Sequence, residues 1–302
     1  MAMTREKING NAAILLANVI FGVNVPITAD LLARWMTPMG YMSSRTFIAA
    51  VLFWAIGMFL PSERVEKKDL LLIACGGITG FILSQYLTAE SLLFTSPVYF
   101  SLILALCPVV TMLLSALILK EPITSKKTIG VAVGVLGALV IIMNGKSAHG
   151  VNDAQGIAFA ILSITAWAFY LIIMRKISQK YGPVTQMKWL FLFTSIILLP
   201  FGVSELDKQT LFTSTFNWIG LAEVVFVVFI ATVCSYFLMP YGMKYLRPTT
   251  VSVYMNLQPV VASVIAIIVG QDNFSIDKPI AAALVLVGAY IVTTSKSKEE
   301  IR

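Results

Sequence analysis

Four ionisable side chains lie inside long apolar stretches of this 302-residue chain: Arg45, Glu90, Lys188 and Glu223. A charge in such surroundings is costly, so it either faces a solvated cavity or reaches out to a polar boundary. Arg45 is suited to binding a substrate carboxylate, while Glu90 and Glu223 could hold a proton at neutral pH and pass it on. The alternative for Arg45 and Lys188 is that the side chain snorkels to the lipid headgroups, which is expected more for Lys188. The alternative for Glu90 and Glu223 is an interfacial position or a structural pair with a Lys or Arg.

Neutral polar residues form a second group of candidates. Asn24 stands two residues before Pro26, whose ring leaves a backbone carbonyl unpaired. A further polar face recurs at helical spacing through Ser252, Asn256, Pro259 and Ser263, with Tyr254 and Gln258 beside it. A face this polar either packs against other helices or lines a cavity, and we predict the cavity.

Aromatic side chains could form the walls of the same cavity, although packing and interfacial belts use aromatic residues equally often. The predicted cavity residues, polar and aromatic together, are Asn24, Arg45, Tyr99, Trp167, Tyr170, Tyr236, Ser252, Tyr254, Asn256 and Gln258. Glu90 and Glu223 are the predicted proton-coupling residues.

The elements that position these residues follow from composition. The chain is 58% apolar and 12% charged, with a mean hydropathy of +0.86, whereas soluble chains are about 25% charged. A membrane-spanning helix needs about 20 mostly apolar residues. Ten such runs predict an all-α membrane protein with ten transmembrane helices, at 10–32, 40–60, 69–92, 96–119, 127–144, 155–174, 185–203, 217–240, 249–270 and 279–295.

The positive charges predict how the helices are oriented. Of the 22 Lys and Arg residues, 16 fall in one alternating set of connectors and termini, and 4 fall in the other set. The positive-inside rule then places both termini in the cytoplasm of a bacterial cell, with the chain in the inner membrane. The net charge of +7 is therefore interpreted as a record of orientation against the lipid bilayer, and no nucleic-acid partner is expected.

The sequence also repeats itself. A shift of 151 residues places Pro97 on Pro248 and Gly137 on Gly288, with 11 identities in the 44 positions from 97 to 140. Earlier segments match at a shift near 146. We therefore predict two five-helix repeats, 1–149 and 150–302, around a central cavity. Because five is odd, the second repeat is inverted, which is typical of secondary transporters.

The segment TSPVYFSLILALCPVVTMLLSALILKEPITSKKTIGVAVGVLGALVIIM, residues 95–143, resembles the signature region of the EamA family in the drug/metabolite transporter superfamily. The matching elements are the Thr-Ser-Pro entry, Pro108, Glu121 and the glycines Gly130, Gly134 and Gly137. The second half keeps Pro259 and Gly288 but has Asp272 where Glu is expected. The resemblance implies that helices 1–4 and 6–9 enclose a cavity, with helices 5 and 10 peripheral, and that the substrates are amino acids, metabolites or toxic compounds, mostly exported.

Together these features predict a secondary transporter of small metabolites such as amino acids or related amphipathic compounds, working outward by alternating access. A passive channel or facilitator is the alternative. No catalytic set is visible, since the only histidine, His149, lies in a connector, so an enzyme is not expected. The cysteines Cys75, Cys107 and Cys234 have no nearby metal-ligand partners, and no cofactor motif is present, so no cofactor and no metal are expected.

Small residues line one side of two predicted helices. Gly130, Gly134 and Gly137 lie in helix 5, and Ala281, Gly288 and Ala289 lie in helix 10. Such faces let helices approach closely. They predict either packing within the bundle or the contact of a homodimer through helices 5 and 10.

Overall fold

The computed structural model describes residues 5–94, 100, 103–142, 153–213, 217–268 and 276–295, and these form ten helical spans. Six of the spans are long and apolar enough to cross a bilayer. The predicted all-α fold with ten helices is therefore confirmed. The described spans are α1 Arg5–Arg34, α2 Pro38–Met58, α3 Lys67–Gly77 continued by Ile78–Leu83 and Ser84–Phe94, α4 Cys107–Ile118, α5 Ser125–Ile142, α6 Asp153–Ser178, α7 Pro183–Val203, α8 Trp218–Val225 continued by Phe226–Cys234 and Ser235–Tyr245, α9 Pro248–Met255 with Gln258–Ile268, and α10 Asp277–Thr293.

Local sequence fixes where several helices start. Pro38 and Pro183 open α2 and α7, because proline suits the first helical position, where no N–H partner is needed. The Thr37 hydroxyl caps α2 by accepting from the Gly40 N–H at 3.1 Å. The Asn217 side chain caps α8 in the same way, accepting from the N–H groups of Ile219 and Gly220. Five spans, α1, α3, α6, α7 and α8, are longer than the predicted apolar runs.

Two spans contain a π-helical segment, a wider turn that inserts an extra residue. In α3 the segment is Ile78–Leu83, and in α8 it is Phe226–Cys234. The 151-residue shift places 78–83 on 229–234, inside the second segment. Two further spans are interrupted by a turn at equivalent positions, 105–106 beside α4 and 256–257 within α9. The breaks in the helices thus repeat with the sequence.

Helices α5 and α10 pack along their small faces within one chain. A β-carbon at Gly130 would lie 2.9 Å from the Gly288 carbonyl oxygen, and one at Gly137 would lie 2.9 Å from that of Ala281. The 151-residue shift exchanges these two pairs, and the partners run in opposite directions along the two helices. Such a reciprocal, antiparallel contact is the property of a two-fold relation between the halves. A homodimer through α5 and α10 remains a prediction.

Other helix pairs show the same reciprocity. Gly57 of α2 faces the Lys188 side chain of α7, while Gly202 of α7 faces Ser43 of α2, and a shift of 145 residues exchanges the pairs. The Ser43 hydroxyl also donates to the Leu198 carbonyl at 2.9 Å. This packing is consistent with the predicted inverted repeat, in which a two-fold axis in the membrane plane relates the halves.

Candidate functional site

Arg45 of α2 directs its guanidinium toward the facing helix α8, and its side chain is half-buried. Its Nε donates to the Thr232 hydroxyl at 2.8 Å, and its two terminal nitrogens donate to the hydroxyls of Tyr41 at 3.1 Å and Tyr236 at 3.5 Å. All three acceptors are neutral. Within the described part of the chain, no carboxylate forms an ion pair with Arg45.

Aromatic rings surround this guanidinium. Its carbon lies 5.7 Å from the ring centroids of Tyr41, Phe81 and Tyr236, a distance at which ring faces attract a cation. Phe191 extends the wall, since its ring centroid is 5.0 Å from that of Phe81. We refer to Tyr41, Arg45, Phe81, Thr232 and Tyr236 as the Arg45 cluster.

The wide turns position the cluster. Phe81 belongs to the π-helical segment of α3, and Thr232 belongs to that of α8. These two residues are equivalent under the 151-residue shift, so the cluster lies where the two halves meet. The Thr232 hydroxyl also donates to the Val227 carbonyl at 2.7 Å, five residues earlier. Wide turns of this kind occur frequently at functional sites, because they redirect side chains without ending the helix.

Three further predicted cavity residues lie beside the cluster. Asn24 stands on α1 between Phe21, whose ring is 5.4 Å from that of Tyr236, and Thr28, whose hydroxyl is 3.3 Å from that of Tyr41. The Asn24 Oδ1 atom is buried without a hydrogen-bond partner. Asn24 therefore lies on the stretch of α1 that meets Tyr236 and Tyr41, and its side-chain oxygen is available.

Tyr170 and Trp167 of α6 form the adjoining wall. The Tyr170 ring is fully buried against Gly80 of the α3 π-helical segment, and its hydroxyl has no hydrogen-bond partner. The Trp167 ring lies 4.8 Å from that of Tyr170, and its Nε1 donates to the Met255 sulfur at 2.9 Å. Two unpaired polar atoms, on Asn24 and Tyr170, thus remain in the interior near the cluster.

The polar residues of α9 lie at helix–helix contacts. The Tyr254 hydroxyl donates to Asn11 Oδ1 at 2.9 Å, and Gln258 Nε2 donates to Asn18 Oδ1 at 2.9 Å, which ties α9 to α1. Ser252 donates to a carbonyl of its own helix. The structure does not bring these side chains into the Arg45 cluster. Tyr99 lies outside the described residues, as does the Ser263 side chain.

Asn256 has a structural role, because its side chain joins α9 to two other segments of the bundle. Its Nδ2 donates to the carbonyls of Gly134 at 3.2 Å and Ala105 at 3.4 Å. Ala105 is the equivalent of Asn256 in the first half, and both residues lie at the helix interruptions. Asn256 is buried, and its Nδ2 satisfies the Ala105 carbonyl, which lies at an interruption, while adding a contact to the Gly134 carbonyl inside α5.

The two predicted proton-coupling residues have different surroundings. Glu90 forms a hydrogen bond with Tyr86, which is exposed on the outside of α3. Glu223 of α8 lies within hydrogen-bonding reach of Asp30 of α1, and Asp30 forms an ion pair with Arg34. One carboxylate oxygen of Asp30 and one of Glu223 are buried without another partner. Two such oxygens can share one proton, because two adjacent negative charges repel.

Polar contacts between the halves close the bundle at its lysine-rich end, which carries Arg64, Lys67 and Lys180. The backbone N–H of Gly182 donates to Glu63 at 2.9 Å, while Lys180 and Tyr181 donate to Asp69 at 2.9 and 2.8 Å. The hydrogen bond to Asp69 raises the pKa of Lys180. We call these contacts the lysine-rich closure.

The opposite end is closed by equivalent positions. The backbone N–H of Thr37, equivalent to that of Gly182, donates to Gln209 Oε1 at 2.9 Å, and its hydroxyl donates to Glu205 at 2.6 Å. The Thr37 hydrogen bond, with help from Lys208, lowers the pKa of Glu205. These contacts form the lysine-poor closure, and the Arg45 cluster lies on the helices between the two closures.

Sequence reasoning missed four contributors to the site: Tyr41, Phe81, Thr232 and Asp30. Tyr41 precedes Arg45 by four residues, so helical spacing alone could have identified it. Asp30 lies within the predicted first helix and could have been counted among its charges. Phe81 and Thr232 lack such a signal. No group of three or more potential metal ligands occurs in the described ranges.

Comparison with known proteins identifies the family. The chain matches the EamA-like transporter family over residues 8–143 and again over 154–294. It is 27% identical to an uncharacterized transporter of Archaeoglobus fulgidus, covering 87% of this chain and 91% of the relative. It is 25% identical to the uncharacterized transporter YyaM of Bacillus subtilis, with 84% of each chain covered.

More distant relatives extend the same pattern. A WAT1-related protein of Arabidopsis thaliana is 21% identical over 96% of this chain and 92% of its own. A crystal structure with 18% identity superposes with a TM-score of 0.76 and covers 97% of this chain and 99% of the other, which supports the fold alone. Both halves of the sequence thus match one family of multi-pass membrane proteins, and the chain belongs to the EamA-like transporter family.

Proposed function

We propose that this protein is a secondary transporter that moves small amphipathic metabolites, such as amino acids or related compounds, outward across the bacterial inner membrane. The observation that carries the proposal is the place of Arg45. A guanidinium with neutral partners lies in the interior of a two-fold related bundle, between two closures that each join one half to the other. The family and the transporter names of the relatives support transport as the activity.

Alternating access gives the two closures their roles. If the halves rock about the Arg45 cluster, the lysine-rich closure opens in one state while the lysine-poor closure stays shut. In the other state the lysine-poor closure opens and the lysine-rich closure is shut. Each closure depends on a few polar contacts at the start of α7 or α2. Such contacts are worth little individually when exposed, so the two states can lie close in free energy.

Coupling to protons is assigned to Glu223 together with Asp30. A proton bound by this pair removes a negative charge beside Arg34, and its release restores the charge. The pair connects α1 with α8, two helices that would move relative to each other as the halves rock. Glu90 remains the second predicted coupling residue.

The test is transport by purified protein in liposomes. Radiolabelled amino acids and organic acids are presented with an imposed pH gradient, a sodium gradient or none, and empty liposomes serve as the control. Saturable, gradient-dependent accumulation of at least one solute is expected. Flux that ignores every gradient would indicate the facilitator instead, and no flux of any solute under any gradient would refute transport.

A further inference from the structure

Resting on that proposed function, we infer that the substrate carries a carboxylate, which Arg45 binds through its two remaining N–H groups, and an apolar body held by the surrounding rings. A guanidinium has five N–H donors. Three of them are used by Thr232, Tyr41 and Tyr236. One N–H on each terminal nitrogen is left, which gives a carboxylate two charge-assisted donors, one for each of its oxygens.

The charge balance of the cluster points to an anion. Taking a guanidinium out of water is unfavourable unless a negative charge compensates it. The hydroxyls that contact Arg45 are neutral, and the titratable groups that interact with its guanidinium are the phenols of Tyr41 and Tyr236. Across the ranges that the structure describes, the missing negative charge is therefore one that a ligand can supply.

The wall around the guanidinium defines the rest of the ligand. Phe81, Tyr236 and Phe191 form a continuous aromatic surface, with Phe81 and Tyr236 ring centroids 4.6 Å apart and Phe191 and Tyr236 centroids 5.6 Å apart. Aromatic surfaces bind apolar groups by burial and ring contact. Asn24 Oδ1 and the Tyr170 hydroxyl, both unpaired, offer hydrogen bonds to a further polar group such as an amine.

Lys188, the other cation that the sequence analysis finds inside an apolar run, does not contact the Arg45 cluster. Lys188 of α7 lies with its Nζ 5.1 Å from the centroid of the Trp54 ring, which is exposed on the outside of α2. Its equivalent in the first half is Ser43, which is buried between α2 and α7. Lys188 therefore serves as the matched control, since it carries the same charge in the same helix pair without facing the cluster.

The test uses full-length protein in lipid nanodiscs and two matched pairs of probes, titrated by isothermal calorimetry. The pairs are 3-phenylpropionate with 3-phenylpropionamide, and leucine with leucinamide. The acid of at least one pair is expected to bind at least tenfold more tightly than its amide. Arg45→Gln should remove that preference, Arg45→Lys should retain part of it because it keeps the charge without the paired donors, and Lys188→Gln should leave it intact.

Thermal unfolding separates binding from a structural role. Because Arg45 is uncompensated without ligand, Arg45→Gln should unfold at the same temperature as the wild type or higher, whereas a structural guanidinium would make the variant less stable. Equal binding of acid and amide, no binding of either, or unchanged acid binding by Arg45→Gln would overturn the inference. Acid-selective binding without liposome flux would instead refute the proposed transport and leave the carboxylate site standing.

Discussion

The two halves of the molecule share their backbone breaks but differ in the side chains at those breaks. Phe81 and Thr232 occupy equivalent wide turns, and both contact Arg45. The counterpart of Arg45 itself in α7 is Leu190, which is fully buried. Two guanidinium groups near one two-fold axis would repel each other. The two halves thus share the positions of their helix breaks, whereas the positive charge at this position is present in the first half and replaced by leucine in the second.

The two closures likewise combine equivalent backbone positions with different side chains. Gly182 and Thr37 are equivalent residues whose N–H groups are both bound by side chains of the other half. At the lysine-rich end an ion pair between Lys180 and Asp69 strengthens the contact. At the lysine-poor end Thr37 donates to the Glu205 carboxylate and to the Gln209 amide oxygen, and both contacts are hydrogen bonds from a neutral residue. Similar geometry at both ends suits two alternating states, while the different charges let one state be favoured.

The largest effect is expected when the site is made symmetric. Leu190→Arg places a second charge in the buried interior near Arg45, and an uncompensated buried charge costs about 3–5 kcal/mol. Little folded protein should be recovered, as measured by fluorescence-detected size exclusion and thermal unfolding. Leu190→Met is the control and should behave like the wild type. If Leu190→Arg folds normally, the two positions do not share the interior.

The next largest effect is expected at the close contact between α5 and α10, which both halves contribute to equally. Gly288→Val places a side chain against the backbone of Gly130 and Gly134, and overpacking of this kind costs about 1–3 kcal/mol or more. The melting temperature should fall clearly. Val287→Leu changes the neighbouring exposed residue and should have no such effect. Equal stability of both variants would contradict the close contact between α5 and α10.

A moderate effect is expected where the halves differ at the helix interruptions. Asn256→Leu removes the donor that serves the carbonyls of Ala105 and Gly134, and unpaired buried groups cost about 1–3 kcal/mol. The adjacent Leu257→Met should cost less than about 1.5 kcal/mol. Thermal unfolding in one detergent distinguishes the variants. A neutral Asn256→Leu would mean that water or another group serves these carbonyls.

The smallest effect concerns acid and the lysine-poor closure. Because the folded pKa of Glu205 is lowered, its stabilising contact is complete above the ordinary value of 4.5 and is lost as the pH falls through the lowered value. The melting temperature of Glu205→Gln should lie within about 2 °C below that of the wild type from pH 8 to 5. The gap should then close in acid.

The lysine-rich closure depends on two titrating groups and serves as the comparison. Lys180 has a raised pKa, so on the basic side its contact is complete below 10.5 and is lost as the pH rises through the raised value. The contact also needs the ionised Asp69 carboxylate, so it is lost in strong acid too, when that carboxylate is protonated. Lys180→Gln should therefore keep a constant difference from the wild type from pH 8 to 5, and the gap should close in base as well as in acid, whereas the gap of Glu205→Gln closes in acid alone. A Lys180→Gln gap that persists in base above the raised pKa of Lys180 would contradict this assignment of the two ends.

Much of the frame was predictable from the sequence because it depends on properties that repeat. Apolar length gives the spans, and Pro108 with Pro259 gives the register of the halves. Arg45 was identifiable because a charge inside an apolar run is rare. The partners of Arg45 were not, since a wide turn has no distinct composition and Thr232 lies 187 residues away.

The polar face of α9 illustrates the limit. Spacing showed that Asn256 and Gln258 would not face lipid, but spacing cannot say whether a polar group meets water or another helix. Their partners on α1, α4 and α5, such as Asn18 for Gln258, lie far away in the chain. Only the packed bundle shows that these side chains satisfy one another, which leaves the free oxygens of Asn24 and Tyr170 near Arg45.

The wide turn of α8 gives the protein a residue that helix continuity does not need. Removing one residue between 229 and 234 would return the segment to ordinary pitch, because the wide turn is what absorbs the extra residue. The helix after the turn would keep its facing, so Tyr236 would stay beside the guanidinium, whereas Thr232 inside the turn would be redirected. A single deletion would thus separate the contact made by Thr232 from the one made by Tyr236 while α8 stays continuous.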